Sequence, residues 1–105
     1  MFAKKIPNTL REAVDTLLTM LSDEDRARIL AMDELTFLGT SHFALGLCMR
    51  NRWVYPATKG WFAASYRAVD ADNISSFVCK QLHRAVHGKV ISDYNVCPSW
   101  MDDDE

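Results

Sequence analysis

The sequence predicts an all-α fold: one small domain built as a bundle of four to five helices, followed by an irregular acidic C-terminal tail. Two long segments repeat apolar residues at the three- and four-residue spacing of a helix face. The 105 residues fit one domain. Hydrophobic residues make up 49% and charged residues 25%, as in ordinary globular proteins. We therefore treat residues 1–105 as a single helical domain, with its core over about 7–88 and its tail over 89–105.

The first predicted helix covers residues 9–21. Thr9 and Glu12 have the spacing of a capping box, in which side chains satisfy the free amides at the start of a helix. Pro7 precedes the helix, where it removes no helical hydrogen bond. The apolar residues fall on one helix face, at Leu10, Ala13, Val14, Leu17, Leu18 and Leu21.

Ser22 marks the beginning of a second helix, over about 23–32, and three acids follow it where the helix dipole favours negative charge. A third helix, roughly 34–52, is long and apolar, with Gly39 and Thr40 as a candidate break. Because its apolar residues surround most of the circumference, we expect it to be central and buried on several sides. These residues are Leu35, Leu38, Phe43, Leu45, Leu47, Cys48 and Met49.

Turn-forming residues interrupt the second half of the chain. Pro56 and Gly60 predict a loop over 53–60, and residues 61–66 are compatible with a short helix or a strand. A last helix, about 71–87, is capped by Asp70 or Asp72 and stopped by Gly88. We expect the core to include Leu17, Leu21, Phe43, Leu47, Phe77 and Leu82.

The sequence carries no signal for export or membrane insertion. Its apolar runs are shorter than the roughly 20 residues that cross a bilayer, and no apolar stretch of signal-peptide type follows the N-terminal lysines. We therefore expect a cytoplasmic protein. The three cysteines, Cys48, Cys79 and Cys97, form no CxxC motif. We expect Cys48 and Cys79 to be inert core thiols and no disulfide framework to form.

The stretch HFALGLCMRNRW, residues 42–53, resembles the HF-LG-x-x-IRN-x-W core of a family of short bacterial and phage domains of unknown function. PNTLREAVDTLLTMLSDEDRARI (7–29) and DADNISSFVCKQLHRAVHG (70–88) resemble the beginning and the end of that family, so the resemblance covers about 7–88. The chain departs from the pattern at 69–72, where the family has a Pro-Asp-Asp turn. The resemblance implies an all-helical fold and no established activity.

His42, Arg50 and Asn51 are the polar residues of this motif. We expect structural roles: Arg50 binds carbonyls at the end of a helix or pairs with a buried acid, and Asn51 caps that end. The alternative is that Arg50 and Asn51 face a partner. Since no nucleophile with an adjacent base is found here, we predict that the protein is not an enzyme and has no cofactor.

Cys79, His83 and His87 fall on one face of the last helix, and both residue types bind zinc. Three ligands spread over two turns do not easily share one ion. We therefore predict that the purified protein holds no stoichiometric zinc, although a metal site remains the alternative. In the favoured interpretation the thiol lies at the edge of the core and the histidines lie at the surface.

Charge is distributed unevenly along the chain. Residues 37–68 carry four bases and no acid, whereas residues 22–36 sum to −3 and residues 92–105 to −5. The basic segment is also rich in aromatic residues, a combination found at protein-interface hot spots and on surfaces that stack nucleic-acid bases. Alternatively, the aromatics fill the core. The five aromatics are Trp53, Tyr55, Trp61, Phe62 and Tyr66.

We predict that the protein is a non-enzymatic accessory module that binds a larger protein complex, for example a phage- or mobile-element-encoded inhibitor of a bacterial defence complex. The alternative is a nucleic-acid-associated protein, which the net charge of −2 disfavours. The sequence leaves the oligomeric state open, and the acidic run 102–105 is the competing surface. The predicted partner-binding residues are Arg50, Arg52, Trp53, Tyr55, Lys59, Trp61 and Arg67.

Overall fold

The computed structural model describes residues 5–91 and 94–98. Within these residues the chain forms five helices and no strand, which confirms the all-α prediction. None of these helices is both long enough and apolar enough to span a membrane. The acidic run 102–105 lies outside the described residues. The helices are α1 (Leu10–Met20), α2 (Asp23–Ala31), α3 (34–54), α4 (Gly60–Ala68) and α5 (Ala71–Val86).

Thr9 caps α1 with its side-chain hydroxyl, which accepts a hydrogen bond from the amide of Glu12 at 3.0 Å. The Glu12 carboxylate accepts its return bond from the amide of Asn8, at 2.8 Å, and not from that of Thr9. Leu21 follows the end of the helix in extended backbone. It is only half-buried, so it reaches the predicted core position only in part. The predicted apolar face of α1 is buried at Leu10, Ala13, Val14 and Leu17.

Side-chain caps also define the starts of α2 and α3. Ser22 and Asp25 form a complete capping box, with bonds of 3.0 and 3.2 Å. Asp33 caps α3 by accepting the amide of Thr36 at 2.8 Å. The backbone hydrogen bonds lower the pKa of both carboxyls, because they stabilise the charged form. Ile29 is the one residue of α2 that is fully buried.

Helix α3 is continuous, but it alternates between α-helical and π-helical segments. Glu34–Ser41 and Leu47–Met49 are α-helical, and π-helical turns occupy His42–Gly46 and Arg50–Val54. The backbone keeps right-handed helical angles at the junctions between these parts, so the candidate break at 39–40 does not occur. Wider π turns change the rotation per residue and therefore change which side chains face the core.

The central helix is α5, and the prediction that α3 holds this place is wrong. α5 packs against each of the other four helices, and ten of its 16 residues are buried. Leu17, Phe77 and Leu82 are buried as predicted. Because the long last helix already fills the middle of the bundle, α3 packs through one side only.

The predicted burial of Phe43 and Leu47 is wrong, since their exposed fractions are 80% and 45%. Apolar residues surround α3, so their pattern does not identify the side that packs. That side instead includes two polar residues, Ser41 and Arg50. The buried residues of α3 are Phe37, Ser41, Gly46, Met49, Arg50, Trp53 and Val54.

Residues 61–66, which were compatible with helix or strand, belong to helix α4. The amide of Trp61 donates to the carbonyl of Asn8 at 2.9 Å, which ties the start of α4 to the start of α1. Gly60 has a φ of +83°, and a Cβ there would stand 3.3 Å from the backbone of Asn8. Both the left-handed conformation and this close approach therefore favour glycine.

The segment 94–98 is irregular and packs on α4. The Trp61 indole donates to the carbonyl of Tyr94 at 3.0 Å. The amide of Cys97 donates to Oγ of Ser65 at 2.8 Å. Ile91 and Cys97 are buried. The hydrophobic core therefore extends beyond the predicted limit at residue 88.

Candidate interaction surface

The seven predicted partner-binding residues separate into a buried and an exposed group. Arg50, Trp53 and Trp61 are buried, with exposed fractions of 5%, 0% and 3%. The expectation that these three form an outer surface is wrong in this conformation. The other four are exposed: Arg52, Tyr55, Lys59 and Arg67.

The two tryptophans are buried because they join the aromatic part of the core. The ring of Trp53 lies 5.5 Å from that of Phe62, and the ring of Trp61 stacks at 6.3 Å on Phe77 of α5. Large aromatics supply much of the apolar area that a small domain can bury. The interpretation in which these aromatics fill the core therefore holds for Trp53, Trp61 and Phe62.

Arg50 has the structural role that the motif suggested, with different partners. Its guanidinium donates to Oγ of Ser75 at 2.8 Å and to the carbonyl of His42 at 3.3 Å. Its acidic partner, Asp72 at 3.4 Å, is exposed and not buried. Asn51 does not cap a helix end, because it lies within the last π turn of α3 and faces solvent.

Two exposed tyrosines lie together, and two of the exposed arginines are close to them in the sequence. The rings of Tyr55 and Tyr66 are 5.7 Å apart, and the two residues are 51% and 46% exposed. Arg52 precedes Tyr55 by one helical turn, and Arg67 follows Tyr66 directly. We call these four residues the basic tyrosine patch. Lys59 lies at the opposite end of α4, about 12 Å along its axis from Arg67, and is not part of it.

The basic tyrosine patch carries two positive charges, those of Arg52 and Arg67. Arg52, Lys59 and Arg67 form no ion pair with any acid among residues 5–91 and 94–98. The four bases of segment 37–68 have no acid in their own segment, and the one nearby carboxylate that pairs with them, Asp72, binds Arg50. No acid among residues 5–91 and 94–98 therefore pairs with the exposed arginines of the patch.

Sequence reasoning missed a second surface, on the outside of α3. The exposed residues of this helix occur in adjacent pairs that recur every four positions. Arg52 is the only charged residue among them. A signal was present, because large apolar side chains recur at Leu35, Phe43 and Leu47 with a four- or eight-residue spacing. We call this set the α3 outer face: Leu35, Thr36, Gly39, Thr40, Phe43, Ala44, Leu47, Cys48, Asn51 and Arg52.

A shallow apolar groove of about 240 Å³ runs along one edge of the α3 outer face. Two residues of that face, Thr40 and Ala44, form part of its lining. The opposite wall comes from α2 and its flanking turns, and Asp25 and Arg28 stand at its polar rim. The apolar lining residues are Leu21, Ile29, Met32, Phe37, Ala44 and Leu45.

A family model for a domain of unknown function, DUF6794, matches residues 6–86. The chain belongs to the DUF6794 family. Comparison with curated proteins and with solved structures finds no match. The DUF6794 match covers all five helices, and it therefore includes the basic tyrosine patch and the α3 outer face.

In this DUF6794 domain, His83 of α5 and His87, which follows that helix, bind backbone carbonyls. Nε2 of His83 lies 2.8 Å from the carbonyl of Met32, and Nδ1 of His87 lies 2.9 Å from that of His83. The centroids of their rings are 4.2 Å apart, and the ring planes are tilted by 33°. His83 is buried, contrary to the surface position expected for it. Among the described residues no group of three potential metal ligands comes together.

The three thiols differ in their surroundings. Burial raises the pKa of Cys79 to about 11 and that of Cys97 to about 12, so both stay protonated and unreactive at neutral pH. Cys79 is the core thiol that the sequence predicts. Cys48 is exposed on the α3 outer face, and its predicted burial is wrong.

Proposed function

We propose that this DUF6794 domain is a non-enzymatic protein-binding module that docks an acidic site of its partner on the basic tyrosine patch. The observation that carries the proposal is the exposed Tyr55–Tyr66 ring pair, with two exposed arginines, Arg52 and Arg67, that are close to it in the sequence and have no acidic partner among the described residues. Tyrosine and arginine are the residues most enriched at binding hot spots, because each combines a large contact area with directional hydrogen bonds.

The biological setting is part of the proposal. Small accessory proteins of bacteria and their phages often act by covering a surface of a larger assembly, and an inhibitor of a bacterial defence complex is one such case. This step rests on analogy with such proteins and on the resemblance of the 42–53 motif to bacterial and phage domains. A cytoplasmic location, expected from the sequence, is part of the same proposal.

A nucleic-acid partner is the second candidate. The tyrosine pair favours it, because exposed aromatic rings beside arginines can stack bases while the guanidinium groups bind phosphates. The net charge of −2 favours a protein partner. The two candidates differ in salt dependence. When arginines bind the phosphates of a nucleic acid, they release the cations condensed on it, so the affinity falls steeply as the salt concentration rises.

The test is capture of partners from the native host on the immobilised domain, comparing wild type with the double variant Arg52→Glu and Arg67→Glu. A matched control is Arg11→Glu, which makes the same change on an exposed position of α1. We expect the double variant to lose the partner and the control to keep it, with at least a tenfold loss of affinity in a direct titration. Deletion of residues 101–105 tests the competing acidic surface.

Two results would contradict the proposal. If the double variant binds as wild type does while the deletion abolishes binding, the acidic run is the docking surface. If nuclease treatment removes the captured material and affinity falls by orders of magnitude between low and moderate salt, the partner is a nucleic acid. Circular dichroism of each variant verifies that the helices are retained.

A further inference from the structure

The α3 outer face lacks the charge expected of a helix surface in contact with water. Ten exposed residues run along a helix of about 30 Å, and Arg52 is their only charge. Leu35 and Phe43 are 82% and 80% exposed. Exposed apolar stripes of this length are typical of faces that pack against another helix. We propose that this face binds a second copy of the chain, in an antiparallel pair about a two-fold axis near residues 43 and 44.

Side-chain size supports a second copy over an unrelated helix. In a two-fold pair the same face meets itself, so each residue lies opposite a fixed counterpart. Pairing Phe43 with Ala44 of the second copy sets the register for the rest of the face. In that register large residues meet smaller ones at the centre of the face, which is the arrangement that lets side chains interdigitate. The remaining opposed positions are Leu47 with Thr40, Cys48 with Gly39, Asn51 with Thr36, and Arg52 with Leu35.

The groove beside the face supports the same register. Thr40 and Ala44 line the apolar groove of about 240 Å³, and they are the residues that Leu47 and Phe43 of the second copy would meet. The ring of Phe43 would therefore enter the apolar groove of the opposing chain. On its own chain its ring contacts His42 edge-on at 4.8 Å and is otherwise largely open to solvent.

Charge complementarity is the third argument. Position 52 of one copy lies opposite position 35 of the other, two residues from Asp33. Asp33 is exposed, and its pKa is lowered by the cap hydrogen bonds to Thr36, so it is ionised at neutral pH. Arg52 has no acidic partner among the residues described for its own chain. The long arginine side chain can reach Asp33 of the second copy at both ends of the pair.

The expected dimer is weak. A strip about 30 Å long and about 10 Å wide is well below the roughly 800 Å² per partner of a standard interface. We therefore expect a dissociation constant on the order of 10 μM or higher, with self-association visible only in concentrated solution. This inference shares Arg52 with the proposed function, but it uses no residue of α4 and needs no partner from the host, so a variant in α4 separates the two.

Sedimentation velocity of the full chain, from about one tenth to about ten times that concentration, is the first test. We expect a shift from monomer to dimer that Phe43→Asp weakens at least about tenfold, since it places a charge at the centre of the pair. The matched control is Leu30→Asp, at an exposed leucine of α2 outside the face. It should leave the shift unchanged, as should Arg67→Glu, which alters only the basic tyrosine patch.

Disulfide trapping tests the register. The register places Cys48 opposite Gly39 of the second copy, so Gly39→Cys should give a covalent dimer on mild oxidation with diamide. Within one chain these positions are nine residues apart on a helix, about 13 Å, and cannot be bridged. Leu30→Cys is the control thiol. A sample that stays monomeric, a dimer insensitive to Phe43→Asp, or trapping no better than in the control would each overturn the proposal.

Discussion

The guanidinium of Arg50 donates a 2.8 Å hydrogen bond to Oγ of Ser75, which joins the last π turn of α3 to the middle of α5. Both side chains are buried. Oγ of Ser75 in turn donates to the carbonyl of Asp72 at 3.1 Å, whose carboxylate lies 3.4 Å from Nε of Arg50. A polar residue at the centre of the matched motif thus holds two helices together, and Phe43 of the same motif faces solvent.

Arg50→Met should lower the free energy of unfolding by about 1–3 kcal/mol, because the buried hydroxyl of Ser75 loses a donor while most of the side-chain packing is kept. The pair with Asp72 adds little, since that carboxylate is exposed. Urea unfolding followed by circular dichroism measures the change. The exposed arginine variant Arg52→Met is the control and should stay within about 0.5 kcal/mol. Equal stabilities of the two variants would refute the structural role of Arg50.

Gly46→Ala should be destabilising by about 1 kcal/mol, although alanine is the better helix former by a similar amount. A Cβ at position 46 would stand 3.0 Å from Nη1 of Arg50 and 3.4 Å from the carbonyl of Ser41. Gly39→Ala is the matched control, because nothing lies within 4 Å of a Cβ at that position, and it should be stabilising by about 0.5–1 kcal/mol. In an Arg50→Met background the cost of Gly46→Ala should fall, which a double-mutant cycle measures.

Replacing an apolar residue should have a different effect on stability in the core and on the α3 outer face. Leu17→Ala should lower the free energy of unfolding by about 2–5 kcal/mol, since Leu17 is 1% exposed. Phe43 has a larger apolar side chain than Leu17, but Phe43→Ser should change the free energy of unfolding by about 0.5 kcal/mol or less in dilute solution. The measurement is the midpoint of urea unfolding with unchanged slope. A large loss in Phe43→Ser would mean that its ring packs within the monomer.

Thiol reactivity should distinguish the cysteines. In the native protein one thiol, Cys48, should react rapidly with an aromatic disulfide reagent, because it is exposed. Cys79 and Cys97 should react only after unfolding, since burial raises the pKa of both thiols and removes them from solvent. Counting released thiolate in buffer and in denaturant tests this, with Cys48→Ser as the control that should abolish the native reaction.

Acid should weaken the cap of α3. The pKa of Asp33 is lowered in the folded state by the cap hydrogen bonds to Thr36, so its contribution to stability is present above the ordinary value of 3.8 and is lost as the pH falls through the lower, folded value. Asp33→Asn keeps a capping acceptor but does not titrate. Wild type should therefore lose stability relative to this variant as the pH falls below about 4. A difference that is independent of pH would contradict the prediction.

Local sequence rules predicted the parts of this domain that depend on near neighbours. Thr9 and Ser22 cap helices where the spacing placed them, and Asp70, one of the two candidate caps with Asp72, caps α5. Leu17 and Leu82 are buried because α1 and α5 each carry one clear apolar stripe. Capping bonds and amphipathic spacing act over three or four residues, so the sequence alone contains the information.

Only the tertiary structure decided which side of α3 is buried. Its apolar residues lie all around the helix, and two π turns alter the rotation that a regular helix would give. The burial of Trp53 and Arg50 and the exposure of Phe43 depend on where α5 packs, and that contact joins residues far apart in the chain. The sequence by itself therefore determined an all-helical DUF6794 domain with its caps and main stripes, while long-range packing selected which side chains stay exposed.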